Sequence, residues 1–339
     1  MRSGHLERST GGALKIPTAR VAALLLWPFC GLAAQGRVEM RRVPSRALGV
    51  EKTIAVYLPP SYDRSSIRFP VAYYLHGGGG NERTWVDRLA LDSLADSLHQ
   101  EGMPEAILVM PDGDTGYWMD WEEPDGFQAR CVADPRRSLL QEATATYCVS
   151  HGRYESYLVR DVVSVVDSAY RTLADHRHRG IAGHSMGGYG ALFLAARHPD
   201  LFSAAVSHSG VVSPLYVGPH PYAGRAVFAS AVSQVLEGWP SYRWPLFLLE
   251  FGRDTTGWWA RDPFRQIDRL LANGRPVPQL YLDVGTMDRF ADQNRALSDT
   301  LSKRKVAHRY REWAGGHDTA YWRAHAAEGL AWLLERIAR

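Results

Sequence analysis

The segment Gly183-His184-Ser185-Met186-Gly187 places a serine hydroxyl between glycines, inside the otherwise apolar run "GIAGHSMGGYGALFLAARHPDLF" of residues 180–202. A hydroxyl so placed can serve as a nucleophile. A neutral serine is a weak one, so it needs a base within hydrogen-bond reach and a third group that orients the base. Downstream, "WAGGHDTAYW" offers His317 and "LYLDVGTMDRFADQN" offers Asp288. Upstream, "YYLHGGGGNERTW" sets four glycines after His76, and amides in such a run can approach a developing oxyanion closely. These are the parts of acyl transfer.

The elements around these residues must hold them in place. "RGIAG" reads as a short buried strand, and "YGALFLAARHP" as a helix with Leu192, Leu194 and Ala195 near helical spacing and Pro199 ending it. Between them lies a tight strand-to-helix turn that needs hydrogen rather than Cβ at its flanks and lifts Ser185 to a helix N-terminus. This is the single G-x-S-x-G of the chain, in the context of an α/β hydrolase nucleophile elbow. The competing reading is a helix N-cap serine.

In that fold the chain order is serine, acid, histidine, which confines the search to residues after Ser185. His308 falls in a strand pattern and His325 in a helix, whereas His317 occupies a glycine-rich loop after the last strand and is the expected base. Asp288 lies in the loop after the penultimate strand and is the expected acid. Asp283, within that strand, is the fallback, Asp292 falls on the following helix, and Asp254 in "FGRDTTG" is a distant third. The expected oxyanion donors are the amides of Met186 and Gly78, with Gly79 the neighbouring alternative. The four glycines do not read as a phosphate loop, since G-x-G-x-x-G and the P-loop lysine are both missing.

Strands are expected at 53–58, 71–75, 106–110, 180–183, 203–207, 279–284 and 307–313. Helices are expected near 155–172, 186–197, 262–273, 290–304 and 318–337. That alternation predicts a mainly parallel central sheet with helices on both faces and the earliest strand as an antiparallel edge. Residues 114–152 and 211–261 break it. The first holds "GYWMDWEEPDGF" and two cysteines, the second five prolines with Trp239, Trp244, Trp258 and Trp259. Both read as insertions that can wall a substrate cleft, or as loops with aromatics packed on the body.

The chain has 339 residues, 45% hydrophobic and 22% charged, the composition of an ordinary globular protein. Residues 1–34 differ: Arg2, Arg8, Lys15 and Arg20, with one acidic residue, precede "VAALLLWPFCGLAA". This pattern predicts a signal peptide cleaved near Ala34 and a secreted or periplasmic protein with no stable membrane span thereafter, an uncleaved anchor being the alternative. Of 39 basic and 36 acidic residues, 35 of each then remain, a net charge of zero. With no basic run interleaved with aromatics, no nucleic-acid partner is expected. Cys30 leaves with the leader. Cys131 and Cys148, 17 positions apart, are expected as a local disulfide rather than two free thiols, and no zinc-ligand spacing is present. Residues 35–339 read as a single catalytic domain, and nothing in the sequence speaks to oligomeric state.

The blocks "VAYYLHGGGGNERTW", "ILVMPDG", "RYESYLVRDVVSVVDSAYRT", "IAGHSMGGYGALFLAARHPDLFSAAVSHSG", "VGTMDRF" and "GGHDTAYW" resemble, in order, those of the esterase family that groups S-formylglutathione hydrolases, feruloyl esterases, enterochelin esterases and mycobacterial mycolyltransferases. The resemblance spans roughly residues 50–335. It implies an α/β hydrolase with a triad at Ser185, Asp288 and His317, oxyanion donors at Gly78 and Met186, and no metal or organic cofactor. The two insertions depart from the family pattern, so substrate choice stays open. A formylglutathione role fits poorly, because that activity is cytosolic and this chain reads as exported.

The expected function is therefore an exported serine carboxylesterase acting on a small-molecule or carbohydrate ester. The alternatives are an acyltransferase that delivers the acyl group to a sugar or lipid hydroxyl, and a non-catalytic carbohydrate-binding protein on the same scaffold.

Overall fold

Val71–Leu75 and Ile107–Pro111 are buried at every position, as strands are when both faces of their sheet are covered. The computed structural model describes residues 35–134, 147–218 and 226–338, so the expected leader lies outside the described residues. In chain order the strands are β1 (Arg37–Ser45), β2 (Val50–Leu58), β3 (Val71–Leu75), β4 (Ile107–Pro111), β5 (Asp120–Asp125), β6 (His151–Arg153), β7 (Arg179–His184), β8 (Ala204–His208), β9 (Tyr216–Gly218), β10 (Val227–Phe228), β11 (Gln279–Gly285) and β12 (His308–Trp313). Eight of them form one sheet in the order β1-β2-β4-β3-β7-β8-β11-β12, and β5/β6 and β9/β10 are separate ribbons. From β4 to β12 every pair is parallel. β2 runs antiparallel to both its neighbours.

Alternation along β3 divides the core. Val71, Tyr73 and Leu75 enter one apolar cluster and Ala72 and Tyr74 the other, as the two-residue period of a strand dictates. The second cluster is closed by the helices Leu91–Gln100 and Thr319–Ile337, through Leu91, Ala95, Leu330, Leu333 and Ile337. The first is closed by Met186–Arg197, Pro263–Ala272 and Ala291–Lys303, through Leu192, Phe193, Ile267 and Leu297. This two-sided, mainly parallel sheet has the predicted architecture. Among the described residues no helix is long and apolar enough to cross a membrane.

Three elements correct the sequence reading. The antiparallel edge is β1, not the strand at 53–58, because "RVEMRRVPS" is largely solvent-facing and its charges, which protect an open sheet edge, hide the apolar alternation. The helix Leu91–Gln100 also went unread, although Leu91, Leu94, Ala95 and Leu98 follow helical spacing. The long helix expected at 155–172 is interrupted by a wider π-helical stretch, Tyr157–Val162.

The connections decide where a ligand can sit. From β3 the chain crosses to β4 on one side, then returns past β3 to β7 on the other. The loops after β3 and β7 therefore diverge and open a crevice at their carboxyl ends. Around it lie the two departures from βα alternation. In the first, β5 pairs with β6 and a disulfide joins Cys131 to Cys148. In the second, the short helices Val232–Glu237, Trp244–Phe251 and Thr255–Ala260 follow one another. There Trp258 is buried against Phe251, whereas Trp239 reaches the crevice.

Candidate active site

Ser185 follows the last residue of β7 and precedes the helix Met186–Arg197, with φ 55° and ψ −119°. A non-glycine residue in that region is strained and is held there only by its surroundings. The flanking glycines explain how. A Cβ on Gly183 would lie 2.3 Å from the Gly187 carbonyl oxygen, and one on Gly187 would lie 2.1 Å from the Leu75 oxygen. The turn packs backbone on backbone, which only glycine permits.

The Ser185 Oγ lies 2.8 Å from His317 Nε2, and His317 Nδ1 lies 2.8 Å from Asp288 Oδ2. Because the buried carboxylate can only accept, Nδ1 carries the proton and Nε2 is left to accept from the serine hydroxyl. Asp288 Oδ1 accepts from the Phe290 amide at 2.7 Å, so both carboxylate oxygens are engaged. The His317 ring stands edge-on to Phe290 and Trp322, at 4.9 and 5.0 Å between centroids. The loops carrying the two residues are laced together, with the Thr286 and Met287 amides donating to the carbonyls of Trp313 and Gly315. Asp318 caps the helix Thr319–Ile337 by accepting from the Tyr321 amide, and so fixes the loop just beyond His317.

The other candidates have different partners. Asp283, wholly buried, holds His208 Nδ1 at 2.5 Å and accepts from the Tyr321 hydroxyl at 3.1 Å. Asp254 caps the helix Thr255–Ala260, and Asp292 pairs with Arg295. His308 contacts Ser298, and His325 stacks on Trp313 at 4.2 Å.

Opposite the elbow, the glycine run leaves β3. The Gly77 amide donates to His184 Nε2 at 3.2 Å and is thereby occupied. Gly78 lines the crevice and faces open space where a Cβ would be. Gly79, with φ 75°, is not among the lining residues. Met186 lines the same space at the first turn of its helix, where amides have no partner within the helix. Burial, reinforced by the neighbouring imidazoles of His76, His208 and His317, holds His184 well below the usual histidine range, which keeps its Nε2 an acceptor.

Sequence reasoning missed what supports the glycine run. His76 Nδ1 donates to the Gly77 carbonyl at 2.8 Å and its Nε2 accepts from the Gly113 amide at 2.9 Å. Beneath it the wholly buried Lys52 reaches Asp112 at 2.8 Å and Asp114 at 2.5 Å, and the Tyr154 hydroxyl donates to Asp114 at 2.7 Å. The motif "LHGGGG" flags His76. Nothing local flags Lys52, whose partners lie some 60 positions away.

The crevice encloses about 220 Å³ around Ser185 and His317. Thr115 and Tyr117 come from the first insertion, Val211, Trp239 and Arg243 from the second, and Arg289 and Phe290 from the loop beyond Asp288. A strained serine hydroxyl, a base aligned on it, a buried acid behind the base and amides across the gap can together carry out nucleophilic acyl transfer.

The chain matches the family described as "Putative esterase" over residues 45–333 and belongs to it. It is 28% identical over 290 residues to Esterase Rv1288 of Mycobacterium tuberculosis (strain ATCC 25618 / H37Rv), covering 83% of this chain and 56% of that protein. The chain thus spans little more than half the length of this relative. A ferulic acid esterase structure superposes with a TM-score of 0.64 at 22% identity, covering 89% of this chain and 98% of the other. FphF, a fluorophosphonate-binding serine hydrolase of Staphylococcus aureus, superposes at 0.66 with 20% identity, covering 88% and 99%. These likenesses establish the α/β hydrolase fold.

Proposed function

We propose that this protein is a serine carboxylesterase that works through an acyl-enzyme on Ser185. The observation that carries the reading is the continuous chain from Ser185 Oγ through His317 to Asp288, with 2.8 Å at each link. In the first half-reaction the serine oxygen attacks the ester carbonyl carbon while His317 Nε2 takes the hydroxyl proton. Asp288 steadies the imidazolium, and the amides of Met186 and Gly78 hold the oxyanion. Collapse expels the alcohol, which leaves with the proton from Nε2. In the second half-reaction His317 deprotonates water, which attacks the acyl carbonyl and releases the acid and the free serine.

Membership of an esterase family supports the reaction class. Two further features support function outside the cytoplasm: the leader-like composition of residues 1–34 and the Cys131–Cys148 disulfide. Hydrolysis of p-nitrophenyl acetate tests the chemistry. Ser185→Ala is expected to lower kcat about a million-fold and to abolish labelling by a fluorophosphonate. Retention of near-wild-type hydrolysis by that variant would refute the assignment.

A further inference from the structure

The walls of the crevice carry an unbalanced charge. Arg88, Arg243 and Arg289 all line it, and no Asp or Glu is among the lining residues described. Arg243 is half-buried and Arg88 and Arg289 are exposed, whereas buried or half-buried arginines elsewhere are matched with carboxylates: Arg179 with Asp167, Arg261 with Glu122, Arg295 with Glu312. Among the described residues, none of the three crevice arginines has an ion-pair or hydrogen-bond partner for its guanidinium. Two are steadied by aromatic rings of the same wall, Arg243 over Trp239 at 5.8 Å and Arg289 over Phe290 at 5.1 Å. Such stacking fixes the plane of a guanidinium and leaves its N–H donors free.

The acidic group that lies toward Arg243, Glu250, makes no ion pair with it among the described residues. Both Glu250 carboxyl oxygens are buried without a hydrogen-bond partner among the described residues. Burial pushes this carboxyl well above the usual range against the pull of Arg243, which favours its uncharged form. Tyr117, in the first insertion, feels both Arg243 and Arg289, which oppose the upward push of burial on its phenol. Both guanidiniums line the same crevice, although one comes from an insertion and the other from the loop of Asp288.

We propose that the crevice selects an ester bearing an anionic group, a carboxylate or a phosphate, held between Arg243 and Arg289, with Arg88 adding to the positive field. A planar guanidinium matches such oxygens two at a time, and two unpaired guanidiniums in a partly enclosed site bind them more strongly than in open water. This inference rests on the esterase reading of the same site.

Two matched pairs test it on the full chain: 4-acetoxybenzoate against its methyl ester, and p-nitrophenyl hydrogen adipate against its methyl ester. The first places the anion on the alcohol and the second on the acyl group, and 4-acetoxyphenyl phosphate extends the first to phosphate. The expected result is a kcat/KM at least tenfold higher for the anion in one pair, a ratio that shrinks in 1 M salt. Arg243→Gln with Arg289→Gln should bring that ratio close to one, and the lysine pair at the same positions should restore most of it. A wild-type ratio near one in both pairs, or a ratio that the glutamine variants leave unmoved, would overturn the proposal. Binding separates this outcome from failure of the esterase reading. Ser185→Ala cannot turn over ester, and Trp239 fluorescence should report 4-acetoxybenzoate binding about tenfold tighter than its methyl ester. Equal binding would sink the anionic-substrate proposal even if the wild-type protein hydrolyses both, whereas selective binding without hydrolysis by the wild type would sink only the esterase reading.

Discussion

Asp283 and Asp288 stand five positions apart on one strand and its loop, yet they serve different histidines. The Asp283 carboxylate is committed to His208 and Tyr321, while Asp288 faces His317. Asp288→Asn should therefore lower kcat for p-nitrophenyl acetate by roughly ten-thousand-fold, because the wrong tautomer of His317 is favoured. Asp283→Asn should instead cost about 3 kcal/mol in stability, measured by urea unfolding, by breaking a buried pair, with no comparable fall in kcat of the folded protein. The elbow offers a second contrast at this scale. Gly187→Ala drives a Cβ into the Leu75 carbonyl, which belongs to a central strand and cannot yield. At least about 2 kcal/mol of stability should be lost through overpacking, with activity falling alongside it.

At the scale of elements, the carboxyl ends of β3 and β4 are joined to the start of β2 by a buried network of charge and hydrogen bonds. Lys52 neutralises Asp112 and Asp114 beneath His76, and His76 in turn holds the glycine run. Lys52→Met leaves two buried carboxylates without their cation, so it should cost about 3–5 kcal/mol and lower kcat more than KM by letting the glycine run after β3 drift. The pH dependence has a definite sign. Burial alone would raise the Asp112 carboxyl, but the Lys52 ammonium at 2.8 Å outweighs it and holds it well below the usual carboxylate range. Its stabilisation is complete above the unfolded value, about pH 4, and is lost as pH falls from there toward the depressed native value. Burial lowers Lys52, yet the charges of Asp114 and Asp112 leave it raised overall. Its contribution is present below about pH 10 and is lost only as pH rises through its higher native value. Urea midpoints at pH 3, 4.5 and 7 should fall on the acid side in the native protein and vary less in the Lys52→Met variant.

For the whole molecule, Ala34–Arg339 forms one compact unit whose crevice around Ser185 is walled by two long insertions. The disulfide ties one of them, joining cysteines 17 positions apart. Closing a loop of that size contributes about 3 kcal/mol, which in a body of this length corresponds to a Tm lower by about 5 °C after reduction. Calorimetry with and without a reductant measures it directly. An unchanged Tm on full reduction would show that the insertion is held by packing alone, through Trp121, Tyr154 and their neighbours.

What the sequence by itself determined is whatever depends on neighbours along the chain. The elbow glycines, the helix Met186–Arg197, the buried strand Val71–Leu75, and the loops holding His317 and Asp288 were all legible because local sterics and periodicity leave few alternatives. The edge strand β1 was hidden because its charges protect an open edge rather than follow an apolar period. Only the tertiary structure decided which aspartate meets which histidine, that Gly77 spends its amide on His184, and that Lys52 lies beneath the glycine run. It also brought Arg243 and Arg289 to line one crevice. Such pairings join residues tens of positions apart, where Coulomb forces and hydrogen bonds act on distances that only the folded chain defines.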